Sequence, residues 1–410
     1  ISCIERLLLY SVVITFFIDT KSNYYALIAL SIFWIYNKRY KQSIKVLKHS
    51  SIFLSLCIYI AFLIASFLYT EDFSYGLRAL EKKSGLIILP ILLTGLQWNK
   101  SLKEDVLKLF VFTLFILTVY SLITTFIKYE IGSDISYFSW ILPFTSSFSA
   151  NYYSLFLAFG ILIIVFEFRQ FQSLLSAPIT IALIVYLGAF LALLSSRSAI
   201  LGLIAILLMY AIFKISKSAN ERKKGFTVLV LTFLMLVVVL STVPYLNTRI
   251  KQSIFHFSAD PRYKLFKSTV NVFLRNPLLG VGIGDVQDEL TAEHLRTNNV
   301  EAYTNKYNAH NDWLQIVLGT GLVGLVLFSH FFLQLIKKAW RTRDLYMVTF
   351  VLFFLITSMT ESILERNKGI IFFSFFTTLF FILNHNPESL IKTSTGDSPK
   401  KPESSTTGLR

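Results

Sequence analysis

A chain of 410 residues that is 54% hydrophobic and only 15% charged, with a mean hydropathy of +0.60, excludes an ordinary soluble domain, which would be nearer a quarter charged. Its net charge of +15 would point to nucleic acid in a soluble protein; interleaved with apolar runs it points instead to basic loops on the cytoplasmic side of a membrane, with no nucleic-acid partner. The two cysteines, Cys3 and Cys57, lie in or beside apolar runs, which leaves no disulfide framework or metal cluster to expect.

Taken in chain order, twelve apolar segments are predicted as helices, at about 4–18, 23–36, 51–69, 85–98, 106–127, 148–167, 178–195, 198–213, 226–246, 312–336, 345–360 and 369–384. The predicted fold is an all-α integral membrane protein with about 12 transmembrane helices. Several segments fall short of the roughly 20 residues that cross hydrocarbon, and flanking Tyr, Trp, Lys and Arg at the interface lengthen their reach. The 39 Phe and 20 Tyr are spread over these repeated runs rather than concentrated in one. No small-residue cleavage site follows the first run, so no cleavable signal peptide is expected.

Charge sets the orientation. With the N-terminus inside, the basic clusters at 38–48, 100–108, 214–224 and 337–343 all fall on cytoplasmic connections, and the opposite connections are poorer in Lys and Arg. The expected organisation is therefore about nine membrane helices over 1–246, a long periplasmic loop at 247–311, about three further membrane helices over 312–385, and a disordered cytoplasmic tail at 386–410. A loop that long is uncommon unless it is functional or separately folded. Within it Asp260-Pro261 is a helix start, and PRYKLFKSTVNVFLRNP puts Phe266, Val270 and Phe273 on one face before Pro277 ends the helix. This predicts an amphipathic helix on the outer membrane-facing rim, followed by the glycine-rich turn LLGVGIGD.

The candidate sites cluster on that outer side. GTGLVG at 319–324 formally matches a dinucleotide fingerprint, but its glycines fall inside a helix already under way and the run that follows is apolar, so it reads as small residues for helix packing. His310 stands in YNAHND, where Asn308, Asn311 and Asp312 are all able to cap the helix that follows. It is either a bystander of the cap or a general base, since its ordinary pKa of about 6.5 suits that work. Arg197, in SSRSA between two apolar runs, either snorkels to the interface or faces an anion. Arg262 opens the loop helix where an acid would be favoured, which a bound anion would rationalise as well as simple solvation does. Two arginines and a helix N-terminus make a plausible phosphate clamp. Asp285, Asp288 and Glu289 form an acidic turn that is either solvated or cation-binding. Glu361 and Glu365, with Arg366 beside them, either position a loop or pair with the arginines. His294 and the other histidines have no metal-ligand spacing.

Four stretches in order, SSRSA at 195–199, RYKLFKSTVNVFLRNPLLGVGIGD at 262–285, HNDWLQIVLGTGLVGLVLF at 310–328 and TESILERNKGIIFF at 360–373, resemble the O-antigen ligase and O-antigen polymerase superfamily of bacterial polytopic membrane glycosyltransferases. The N-terminal half agrees only in being a run of membrane helices. One departure is Gly319, where the family often has Glu two residues before the glycine of its post-HN motif. The resemblance implies an enzyme of the bacterial inner membrane, its active site facing the periplasm, that moves a glycan from undecaprenyl pyrophosphate with inversion and without metal or cofactor. The acceptor would be the lipid A core in a ligase and another lipid-linked glycan in a polymerase. A protein acceptor belongs to a branch whose members tend to carry longer outer domains. By position, Arg197 and Arg262 would bind the pyrophosphate and His310 would activate the acceptor hydroxyl, with Asn311 and Glu361 in support. A transporter or lipid-linked glycan flippase would also account for the helices and basic loops. It predicts repeats and broken helices near the midplane, and no internal repeat is evident.

Overall fold

The computed structural model describes residues 3–128, 149–217, 219–242 and 261–382, and within them every apolar run of the sequence coincides with helix. The described residues form seventeen α-helices with short 3-10 and π segments. In chain order they are α1 (Cys3–Phe16), α2 (Thr20–Tyr36), α3 (Tyr40–Leu47), α4 (Ser51–Ala65), α5 (Phe73–Thr94) and α6 (Lys100–Lys128). Then come α7 (Ala150–Phe166), α8 (Phe168–Gln172), α9 (Ala177–Leu193), α10 (Arg197–Ile215) and α11 (Ala219–Thr242). α12 (Pro261–Arg275), α13 (Val286–Arg296) and α14 (Val300–Thr304) precede the long α15 (Asp312–Thr342), and α16 (Leu345–Ser358) and α17 (Asn367–Thr377) follow it.

Four helical stretches are long and apolar enough to cross a membrane: Ser51–Leu68, Lys100–Ile127, Arg197–Ile215 and Asp312–Thr342. Ala150–Phe166, Ala177–Leu193, Leu345–Ser358 and Asn367–Phe381 are apolar but shorter. The described residues are thus all-α, with long and short apolar helices of the kind that integral membrane proteins carry. α7 sits at their centre, with residues 153–164 buried without interruption, as a helix that is apolar all round must be. Phenylalanines scattered along the sequence meet there: Phe159 packs edge-on against Phe376 at 4.7 Å, and Phe354 lies 4.3 Å from Phe373. Between lipid-facing helices the hydrophobic effect supplies no drive to associate, so such close ring packing is what holds them.

Three expectations change. α5 begins at Phe73, a full three turns before the predicted 85, so Arg78, Lys82 and Lys83 are helical rather than loop residues. α12 spans the predicted residues, but its inward face is Leu265, Ser268, Thr269 and Val272, while Phe266 is half exposed. The face is rotated because the helix packs on α13 and α15 through small hydroxyl residues, which a pattern of bulky side chains does not show. α15 is not one continuous helix, as described below. The proposed cap Asp260, the loop residues 247–260 and the tail 386–410 lie outside the described residues.

Candidate active site

The polar knot that precedes α15 separates into two roles. Asn311, with an extended backbone (φ −161°), is the helix cap: its side-chain oxygen accepts from the Leu314 N–H at 3.0 Å. Its side-chain nitrogen donates to the Met359 carbonyl at 2.7 Å, and its own N–H donates to Ser362 Oγ at 3.0 Å. Asp312 turns inward and is buried, its carboxylate accepting the N–H groups of Ile363 at 3.0 Å and Leu364 at 2.8 Å. The connection between α16 and α17 is therefore stitched to the start of α15.

Other helices hold the same connection. Tyr152 of α7 donates its hydroxyl to the Ser362 carbonyl at 2.7 Å. Lys83 of α5, buried, donates to Glu365 Oε1 at 2.7 Å and to the Leu364 carbonyl at 3.3 Å. A buried ammonium is costly to desolvate, and here a carboxylate and a carbonyl share it. The sequence reading missed this contact. The signal available was a lysine at the head of an apolar helix, which demands a partner.

The result of this bracing is a fixed Glu361. Its side chain is 10% exposed, and its Oε2 lies 3.5 Å from His310 Nδ1. That separation is at the outer limit of a hydrogen bond, as catalytic pairs without substrate often are. His310 itself is 35% exposed and has a left-handed backbone, φ +47°, a conformation rare outside glycine but least so for Asn, Asp and His. Its N–H donates to Asn308 Oδ1 at 3.0 Å, and the Tyr307 ring stands edge-on at 5.7 Å. With Nδ1 toward the carboxylate, Nε2 is the nitrogen left to meet a ligand.

The segment that delivers His310 is anchored from behind. His294, fully buried on α13, faces the Tyr307 carbonyl with Nε2 at 3.2 Å, so Nε2 carries the proton. Burial pushes this imidazole below its ordinary range, toward the neutral form. On the same helix Glu293 pairs with Arg275 of α12, which also bridges to Glu289.

The glycines behave differently from simple packing residues. α15 breaks at Gly321 (φ +60°), and the turn 277–282 docks into the break. Val281 N–H donates to the Leu318 carbonyl at 2.8 Å and Gly282 N–H to Gly319 at 3.1 Å, while Leu322 and Val323 N–H groups donate back to Pro277 and Leu278. A Cβ on Gly321 would stand 2.3 Å from the Leu278 carbonyl, and one on Gly280 (φ +72°) 2.4 Å from the Leu318 carbonyl oxygen. GTGLVG and LLGVGIGD are therefore two halves of one backbone clasp. Non-helical backbone within an apolar helix leaves polar groups that need partners, and here the turn supplies them. Nor is Asp285 part of a solvated or cation-binding turn: its two oxygens accept the Glu71 and Asp72 N–H groups at 2.8 and 2.7 Å, tying the α4–α5 connection to the clasp. Among the described residues no group of three His, Cys, Asp or Glu is placed to hold a metal ion.

Arg197 is the first residue of α10 and is half-buried. Its neighbours Ser198 and Ala199 line a small space together with Glu361 and Tyr152, so SSRSA and the Glu361 connection do meet. Arg262 is the second residue of α12; its side chain lies outside the described part of the structure. Both arginines stand in the first turn of a helix, where the backbone is already positive.

Residues 181–329 match the family model described as O-antigen ligase. That stretch contains Arg197, Arg262, His310 and Asn311 and ends before Glu361. A comparison with curated proteins finds no match. Residues 181–329 are thus similar to the O-antigen ligase family.

Proposed function

We propose that the chain transfers a glycan from undecaprenyl pyrophosphate to a hydroxyl of the lipid A core, at the periplasmic face of the inner membrane, with His310 as general base. The observation that carries this reading is the His310–Glu361 pair, 3.5 Å apart and braced at the mouth of α15, with His310 inside the family-matched segment 181–329. The acceptor oxygen attacks the anomeric carbon as the bond from that carbon to the pyrophosphate oxygen breaks. The acceptor proton passes to His310 Nε2, and the bond electrons leave with undecaprenyl pyrophosphate. Attack opposite the leaving group inverts the centre. Glu361 holds the imidazole through Nδ1 and balances the imidazolium that forms. Arg197 and Arg262, each in a helix first turn, supply fixed positive charge for the departing pyrophosphate, so transfer proceeds in the presence of EDTA. The lipid tail lies between helices.

The test is transfer by purified protein from a lipid-pyrophosphate-linked glycan. His310→Ala is expected to lose about 10²–10⁴-fold in rate, the usual worth of a general base, while remaining folded in the membrane. Wild-type rates in that variant would remove His310 as the base. Unchanged donor affinity in both Arg197→Ala and Arg262→Ala would remove the clamp. The glycan profile of a deletion strain identifies the acceptor: lipid-linked polymer that never reaches the core marks a ligase, whereas single repeat units on the core mark a polymerase. Substrate movement across liposomes without bond formation would mark a flippase.

A further inference from the structure

The end of the bundle opposite His310 contains a cavity that glycan transfer leaves unused. α4 and α15 pack side by side and run in opposite directions. At the His310 end, the chain just beyond α4 grips the clasp, with the Tyr69 hydroxyl donating to the Leu279 carbonyl at 2.8 Å. At the other end, the start of α4 and the last turns of α15 enclose a cavity of about 330 Å³. The spaces beside Glu361 and Lys83 are only about 10 and 20 Å³. Ligand pockets ordinarily run from roughly 300 to 1,000 Å³.

The wall of this cavity has one sign of charge. Lys337, Lys338, Arg341 and His49 line it, and no acidic side chain does among the described residues. Lys337 and Arg341 are four residues apart on one helix face, a repulsive spacing. The C-terminal pole of α15 favours cations and offsets part of that cost. It does not offset the second pole: Ser51 and Ile52, the first residues of α4, line the same cavity, and their helix N-terminus adds positive potential. Lys337, Arg341 and His49 converge with a helix N-terminus on a wall that holds no carboxylate among the described residues, an arrangement that suits an anion. Beside the polar Ser50 and Gln334, Val46, Ile52 and Phe381 give the wall an apolar stretch, which a free inorganic ion would leave wet.

We propose that this cavity binds the phosphate head group of an anionic membrane lipid of the phosphatidylglycerol or cardiolipin class, with its glycerol and first acyl carbons against the apolar wall. Basic pockets between membrane helices on the cytoplasmic side suit such head groups, and the charge bias of the connections assigns this end to that side. The site is independent of the glycan-transfer reading and stands if that reading fails.

The experiment is native mass spectrometry of the full chain, purified from nanodiscs of phosphatidylcholine with a minor fraction of phosphatidylglycerol. Phosphatidylglycerol is expected to stay bound through exchange into neutral detergent. The combined Lys337→Gln, Lys338→Gln, Arg341→Gln variant should retain at least about tenfold less of it, since each basic group near an anionic head group is worth roughly fivefold. The pair Lys41→Gln, Lys45→Gln, exposed on α3 outside the cavity, should retain it as wild type does. Full retention by the triple variant, or equal loss in the control pair, would overturn the proposal. Displacement by inorganic phosphate would assign the cavity to a soluble anion instead. Should the triple variant fail to fold, a photoactivatable phosphatidylglycerol on the unaltered protein decides. Adducts at 46–52 and 334–341 are expected, and adducts confined to other segments overturn the site.

Discussion

At the scale of single residues, the site depends on which of several similar side chains turns which way. Asn311 and Asp312 are both capping types, so spacing alone leaves the cap undecided. The structure gives the cap to Asn311 and sends Asp312 inward to hold two backbone N–H groups of the α16–α17 connection. His310 stood out as a candidate base by its place at a helix entrance and by the resemblance; Glu361, 51 positions further on, stood out only as a supporting acid, because nothing local joins the two segments. The pair makes a sharp prediction. Glu361→Gln keeps size and burial but removes the charge that faces His310 Nδ1 at 3.5 Å. Its transfer rate should fall by about 10²-fold, within the range for disabling acid–base catalysis, with KM for donor and acceptor little changed. Steady-state kinetics on both substrates checks this, and an unchanged rate would leave Glu361 as a loop anchor only.

At the scale of elements, backbone fit rather than hydropathy decides the outer region. The run GTGLVG is apolar and helical by composition, so its break was not legible; only the paired glycines of LLGVGIGD, some forty residues earlier, hint at a partner. Gly321→Ala illustrates the consequence. In a regular helix the change would help by about 1 kcal/mol, whereas here it forces a φ of +60° on alanine and drives a Cβ to 2.3 Å from the Leu278 carbonyl. The variant should be destabilised by more than the roughly 1–3 kcal/mol of the dihedral strain alone. Limited proteolysis should open the chain at 277–282, and resistance equal to wild type would argue against the clasp. His294 gives the same region a pH dependence. Its folded form is held neutral by burial, so the unfolded chain takes up a proton that the folded chain refuses. Stability is therefore full above the ordinary histidine value of about 6.5 and declines as pH falls through it. The protein should melt at a lower temperature at pH 5 than at pH 7.5, and His294→Gln should remove much of that difference.

At the scale of the whole molecule, helix positions were legible because each apolar run is continuous, while interhelical contacts were not, because lipid-facing and protein-facing residues are equally apolar. Lys83 shows the limit. Counted as a loop charge, it is in fact a buried residue of α5 bound to Glu365, 282 positions away. Charge bias in the connections still makes a prediction about the molecule as a unit. Lys45, on α3, and Lys306, just before the His310 segment, are exposed residues placed near opposite ends of α4 and α15. With Cys3 and Cys57 replaced by serine, a cysteine at 45 should react with a membrane-impermeant maleimide only after the inner membrane is opened. A cysteine at 306 should react in cells whose inner membrane is intact. The opposite pattern would invert the protein, turn His310 toward the cytoplasm and end the periplasmic reading. Reaction of both in intact cells would mean that the ends of α4 and α15 do not lie on opposite sides of the membrane. The expected result places the acceptor site and the lipid-binding cavity on opposite faces of the membrane, joined by the length of α15.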